Sequence, residues 1–178
     1  PDGGLVISAG SDRTIRVWRA TDFNTPLRER TNAHTGQVVS LAVSLDGSLL
    51  ASGGSSSDVH VWNLSDLSVS QATIAVVAGN GRVNALAFTP DGRFLFVGSE
   101  SGALTALAVS SGREALTLPD EHSGAAITAL VINAEGTRLV TAGVDRSLKI
   151  WRLSSLADSV GLDEEREGYS VALTLLVG

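Results

Sequence analysis

The seven residues DRSLKIW, Asp145–Trp151, have counterparts at three earlier places: DRTIRVW (Asp12–Trp18), SSDVHVW (Ser56–Trp62) and ESGALTA (Glu100–Ala106). Their last positions are 18, 62, 106 and 151, so the pattern returns every 44 or 45 residues. A fixed period of this size marks a chain assembled from repeated supersecondary units. Between the marks lie short runs that alternate apolar and small polar residues, such as Leu49–Ser52, Val83–Thr89 and Leu139–Ala142. Such runs, bounded by glycine and serine, predict short strands joined by tight turns.

Two further landmarks keep the same phase. SLDG (Ser44–Gly47), TPDG (Thr89–Gly92) and NAEG (Asn133–Gly136) each end a run, and PDG opens the chain at Pro1. Asp-Gly and Glu-Gly predict hairpin tips, because glycine reaches positive φ without a steric penalty. The third landmark, AHTGQV (Ala33–Val38), AGNGRV (Ala78–Val83) and EHSGAAI (Glu121–Ile127), leads into the next strand.

Each unit therefore reads strand, DG-type turn, strand, Gly/Ser turn, strand ending in Trp, weaker strand, His-x-Gly loop. The pattern resembles the WD-repeat β-propeller family over nearly the whole chain. The implied fold class is all-β, a propeller of four-stranded antiparallel blades with about four blades and an incomplete ring. The chain departs from the family where Trp18, Trp62 and Trp151 are followed by Arg19, Asn63 and Arg152, and where the third repeat has no Trp. The whole of 1–178 is read as this partial propeller. Pro1–Gly4 is the turn after a missing innermost strand, and Val171–Val177 is expected to be the innermost strand of a further blade. Ser154–Glu167 lacks alternation and is expected to form helix or loop, with DEERE (Asp163–Glu167) solvated. The remaining blades are expected from the same longer chain; the other reading is a second copy that lends its strand.

Within the family, the resemblance implies a buried chain of hydrogen bonds from Trp to Ser/Thr to His to Asp. The fourth repeat offers His122, Thr141, Asp145 and Trp151. The second offers His34, Ser52 and Trp62, with Ser56 where the Asp would stand, and the first keeps Ser8, Asp12 and Trp18. The third has Gly79, Phe96, Glu100 and Ala106 at the four places. It must rely on packing of Phe88, Phe94, Phe96 and Leu107, and residues 79–109 are expected to open most easily. An indole N–H, a hydroxyl and an imidazole are tolerated in a core only when each finds a partner, so these residues read as structural and not catalytic. No Gly-x-Ser-x-Gly elbow, GxxxxGK[ST] loop or dinucleotide fingerprint is present, and GSESG (Gly98–Gly102) has the wrong spacing for phosphate.

Composition excludes other chemistry. With no cysteine among 178 residues there is no disulfide, iron–sulfur site or thiol nucleophile, and the chain suits a reducing, intracellular compartment, expected to be the cytoplasm. Only His34, His60 and His122 could supply imidazole, and two have structural roles, so no metal site and no cofactor are expected. A net charge of −6 argues against a direct nucleic-acid ligand, and no apolar run is long enough for membrane insertion. The absence of methionine and the start at Pro1 suggest a piece of a longer product.

Function is then expected in loops displayed on a rigid rim. The rim candidates are Arg13, Gln37, Asp58, Arg82, Glu100 and Arg146, with the three arginines favoured for protein contacts. The expected role is a non-catalytic scaffold that docks proteins or peptides within a larger protein or complex. The alternatives are a permanent structural subunit of a large assembly and a non-catalytic part of a multidomain enzyme.

Overall fold

The computed structural model describes residues 3–75, 81–119, 121–156, 159–166 and 169–176. All the regular structure described is strand, in four antiparallel sheets that do not close a ring. The first sheet holds β1 (Leu5–Ala9), β2 (Ile15–Arg19) and β3 (Arg28–Arg30). The second holds β4 (Val38–Val43), β5 (Leu49–Gly54), β6 (Asp58–Asn63) and β7 (Val69–Ala75). The third holds β8 (Val83–Phe88), β9 (Phe94–Ser99), β10 (Leu104–Ala108) and β11 (Glu114–Leu118). The fourth runs β12 (Ile127–Ile132), β13 (Arg138–Gly143), β14 (Leu148–Leu156), β15 (Ser159–Arg166) and β16 (Tyr169–Leu176).

Strands within a sheet follow chain order, as tight turns require. The Asp-Gly and Glu-Gly tips form as the residue types dictate, with Gly47, Gly92 and Gly136 at φ 73°, 69° and 67°. The first strands β4, β8 and β12 are neighbours at the inner edge: β8 packs on β4 and β5, and β12 on β8 and β9. Each begins with the same irregularity, a register shift at Val38/Ser40, Val83/Ala85 and Ile127/Ala129. A bulge bends the strand that carries it, so the same irregularity at the start of each inner strand is part of the repeat.

The core lies between sheets. Ile15 and Val17 pack with Leu50, Trp62 and Leu64 between the first and second. Val59 and Val61 pack with Val83, Leu95 and Val97 between the second and third, and Phe96 and Leu104 with Ile127, Leu139 and Trp151 between the third and fourth. The outer sheets differ. A groove of about 420 Å³, lined by Leu5, Ile7, Leu41, Val43 and Leu64, lies beside β1, the edge strand of the first sheet among the described residues. On the fourth sheet Leu148 and Ile150 are 73% and 44% exposed, although their counterparts Ile15, Val17, Val59 and Val61 are wholly buried.

Three readings of the sequence are corrected by strand pairing. Ser159–Arg166 is strand, not helix or loop: β15 pairs with β14 from Trp151↔Glu164 to Leu156↔Ser159. Tyr169–Leu176 pairs with β15 and ends the fourth sheet on its outer side, so the segment expected to open a further blade does not do so; Val177 lies outside the described residues. An alternating segment carries no record of which edge it joins, and a sequence-adjacent hairpin closes the shortest loop.

The third correction concerns the frame of the third repeat. Trp18, Trp62 and Trp151 pair with Val6, Leu50 and Leu139, and the matching pair in the third sheet is Leu107↔Leu95. The tetrad places there are therefore Val97, Ser101 and Leu107, one residue beyond Phe96, Glu100 and Ala106; Gly79 lies outside the described residues. Apolar Val97 and Leu107, 1% and 0% exposed, stand where the other sheets have hydroxyl and indole. All six residues of β9 are buried, which removes the ground for expecting this blade to open first.

Candidate functional site

The loops that precede the inner strands dock onto the turns that precede the third strands, on one rim. Gly10 O accepts from Val38 N at 3.1 Å, Gln37 O from Ser55 N at 3.0 Å, Arg82 O from Glu100 N at 2.8 Å and Ala126 O from Val144 N at 2.9 Å. The side-chain networks sit just beneath this rim.

In the fourth blade the expected four residues meet. The Asp145 carboxylate lies 3.1 Å from His122 Nδ1 through both oxygens, and as it can only accept, Nδ1 donates. His122 Nε2 therefore accepts from Thr141 Oγ1 at 2.7 Å, and Thr141 Oγ1 accepts from Trp151 Nε1 at 3.2 Å. Ser147, which the sequence reading did not single out, donates to Asp145 Oδ2 at 2.7 Å and touches His122 Nδ1 at 3.0 Å. Gly143 belongs to the same unit: a Cβ there would run into the His122 imidazole and lie 2.7 Å from Asp145 Oδ1.

The order carboxylate, imidazole, hydroxyl is also that of a hydrolytic triad, but the surroundings differ. Thr141 and His122 are wholly buried. The hydroxyl oxygen accepts from an indole N–H and has no solvent-exposed surface, whereas a nucleophile must meet its acyl group. The hydrogen bonds tie the His122 loop to β13, β14 and the turn between them.

The Ser147 hydroxyl, then the Ser147 amide, then His122 hold the Asp145 carboxyl down at about 2, and the Ser44 and Ser48 hydroxyls do the same for Asp46. A carboxyl with a folded value below its usual 3.8 takes up its proton more readily in the unfolded chain. It therefore stabilises the fold above that value, and the gain is lost as pH falls toward about 2. Urea midpoints measured from pH 6 to 2 should fall across this window, and more gently for Asp145→Asn; parallel profiles would count against the network.

The second blade is built differently. Trp62 Nε1 donates to Ser52 Oγ at 2.8 Å, and His34 Nε2 lies 2.7 Å from the same oxygen. Ser56 stands in the Asp place, 3.4 Å from His34 Nδ1, and Asp58 stands in the place of Ser147, with Oδ2 3.5 Å from His34 Nδ1. Carboxylate and hydroxyl have exchanged places. Asp58 also meets His60 Nε2 at 2.7 Å. His34 is pushed down by burial and then by the neighbouring His60, both of which favour the neutral imidazole. In the first blade Trp18 donates to Ser8 at 2.9 Å, and Asp12 pairs with Arg16 at 2.7 Å.

The rim candidates are not equivalent. Arg13 and Arg146 are exposed at matching turn positions, both left-handed at φ 62° and 67°, where the third blade has Gly102 at 83°. Gln37 and Glu100 are exposed. Arg82 is half-buried with its Nε unpartnered, and Asp58 belongs to the histidine network.

A family model matches the repeat frame. WD domain, G-beta repeat, fits residues 1–19, 25–63, 71–105 and 112–152, most of the chain. The chain belongs to the WD40-repeat family. A curated relative is Protein HIR1 of Candida albicans (strain SC5314 / ATCC MYA-2876), 26% identical over 168 residues. The match takes in 84% of this chain and 16% of that relative. WD40 repeats as a family serve protein interaction and are generally non-catalytic. No helix among the described residues is long and apolar enough to cross a membrane.

Proposed function

We propose that this chain is a non-catalytic docking scaffold whose rim turns bind other proteins or peptides, inside the cell and within a larger protein or complex. The observation that carries this reading is the pair Arg13 and Arg146. Each holds a long cation in a left-handed conformation that costs a non-glycine residue on the order of 1 kcal/mol. Neither side chain has a partner among the described residues, and the fold would be served as well by glycine, as it is at Gly102. Strain retained at an exposed arginine fits a residue kept for contact, since guanidinium forks and stacks at interfaces. Gln37, Arg82 and Glu100 flank the same rim. The exposed Leu148 and Ile150 fit coverage by a further blade, from the same longer chain in preference to a second copy.

Arg13→Ala, Arg82→Ala and Arg146→Ala test the reading in affinity capture followed by titration of the captured protein. At least one variant is expected to lose tenfold or more in affinity with its unfolding midpoint unchanged. Unaltered affinity in all three would remove the rim arginines from the interface.

A further inference from the structure

Among the described residues one group of metal-ligating side chains converges, in the second blade: His34, Asp58 and His60 each offer a ligand atom, all within 4.8 Å of one another. Asp58 Oδ2 is 2.7 Å from His60 Nε2 and 3.5 Å from His34 Nδ1, and the two imidazole centres are 4.4 Å apart. Donors on one tetrahedral ion with bonds of about 2.0–2.1 Å stand about 3.3 Å apart, so the cluster needs only a slight opening to accept one. We propose that His34, Asp58 and His60 bind one divalent transition-metal ion of the zinc type, with the fourth position left to water or to the nearby Ser56 hydroxyl.

Three features favour this beyond proximity. First, in the first and fourth blades the position of His60 carries a permanent cation. It is Arg16 in the first blade, paired with Asp12, and Lys149 in the fourth, 3.6 Å from Glu121. The second blade puts an imidazole there beside a displaced carboxylate, and a bound cation supplies the missing charge. Second, Asp58 Oδ1 and His60 Nδ1 are buried without a hydrogen-bond partner. An ion on the carboxylate compensates a charge met by His60 Nε2 on Oδ2 and by no hydrogen bond on Oδ1. Third, His34 Nε2 lies 2.7 Å from Ser52 Oγ, which accepts from Trp62. The tautomer with its proton on Nε2 donates to that hydroxyl and frees Nδ1 for an ion. Metal-bound histidines commonly have their second nitrogen anchored in this way. Two imidazoles and one carboxylate suit zinc more than calcium or magnesium. Asp58 and His60 side chains, 23% and 16% exposed, leave a path from solvent.

The test is calorimetric titration of the chelator-treated chain with Zn²⁺, paired with ¹⁵N NMR of the imidazoles, of which the chain has only three. One ion per chain is expected, with His34 and His60 nitrogens shifted and those of His122 unmoved. His60→Lys, which copies the fourth blade, and Asp58→Asn are each expected to weaken binding at least tenfold. Absence of saturable binding, unchanged affinity in folded His60→Lys, or a shift at His122 in place of the other two would overturn the site. The NMR readout uses the unaltered chain and decides the matter even if a variant does not fold.

Discussion

Phe96→Ala is expected to cost about 3–5 kcal/mol of unfolding free energy, read as a lowered urea midpoint. Phe96 has no exposed surface and lies on the seam between the third and fourth sheets, among Phe94, Leu104, Ile127, Leu139 and Trp151. Truncation removes its transfer energy and leaves a cavity that two facing sheets cannot close, because each is held by its own hydrogen-bond ladder. Leu148→Ala is the control: at 73% exposure it should change stability by less than about 0.5 kcal/mol. A cost below about 1 kcal/mol for Phe96→Ala would mean that the seam is not packed as described. The same burial predicts slow amide exchange in β8, β9 and β10, the reverse of what the missing tetrad suggested.

How much could be read from the sequence follows from which features are periodic. The spacing of Trp18, Trp62 and Trp151 and the Asp-Gly tips were sufficient for blades, strand order and the fourth-blade tetrad, because turn chemistry and strand alternation are local. The third repeat was misframed by one residue because Glu100 looks like the tetrad acid, whereas the hairpin is set by the pair Gly98↔Leu104 and puts Ser101 at that place. The Ser56/Asp58 exchange was legible in principle. SSD stands against DRS, and residues 58 and 60 share a strand face, but their convergence with His34 brings the loop before β4 to β6 and is set by the fold, not by local sequence. Ser147 could be found the same way, two residues after Asp145. The pairing of β15 and β16 was not legible, since edge choice is decided by loop closure and by what neighbouring edge is free.

Exchange of roles between blades also explains why one scaffold tolerates such variation. The blades differ in what stands at these places: an ionised network with Asp145, an imidazole pair around Asp58, or buried Val97 and Leu107 beside the backbone bond from Glu100 N to Arg82 O. Replacing a whole polar network with apolar groups of fitting shape can be nearly neutral, whereas removing one member strands the others.

His122→Ala therefore separates the structural reading of the Ser/Thr, His and Asp residues from a catalytic one. It leaves Thr141 without its acceptor and Asp145 without its imidazole, both beneath the rim. The decisive measurement pairs urea unfolding with hydrolysis of a set of activated esters, on the unaltered chain and on His122→Ala. A loss of about 2–4 kcal/mol in stability, with no hydrolysis above background in either protein, is the expected result. Hydrolysis by the unaltered chain that His122→Ala abolishes at undiminished stability would contradict it.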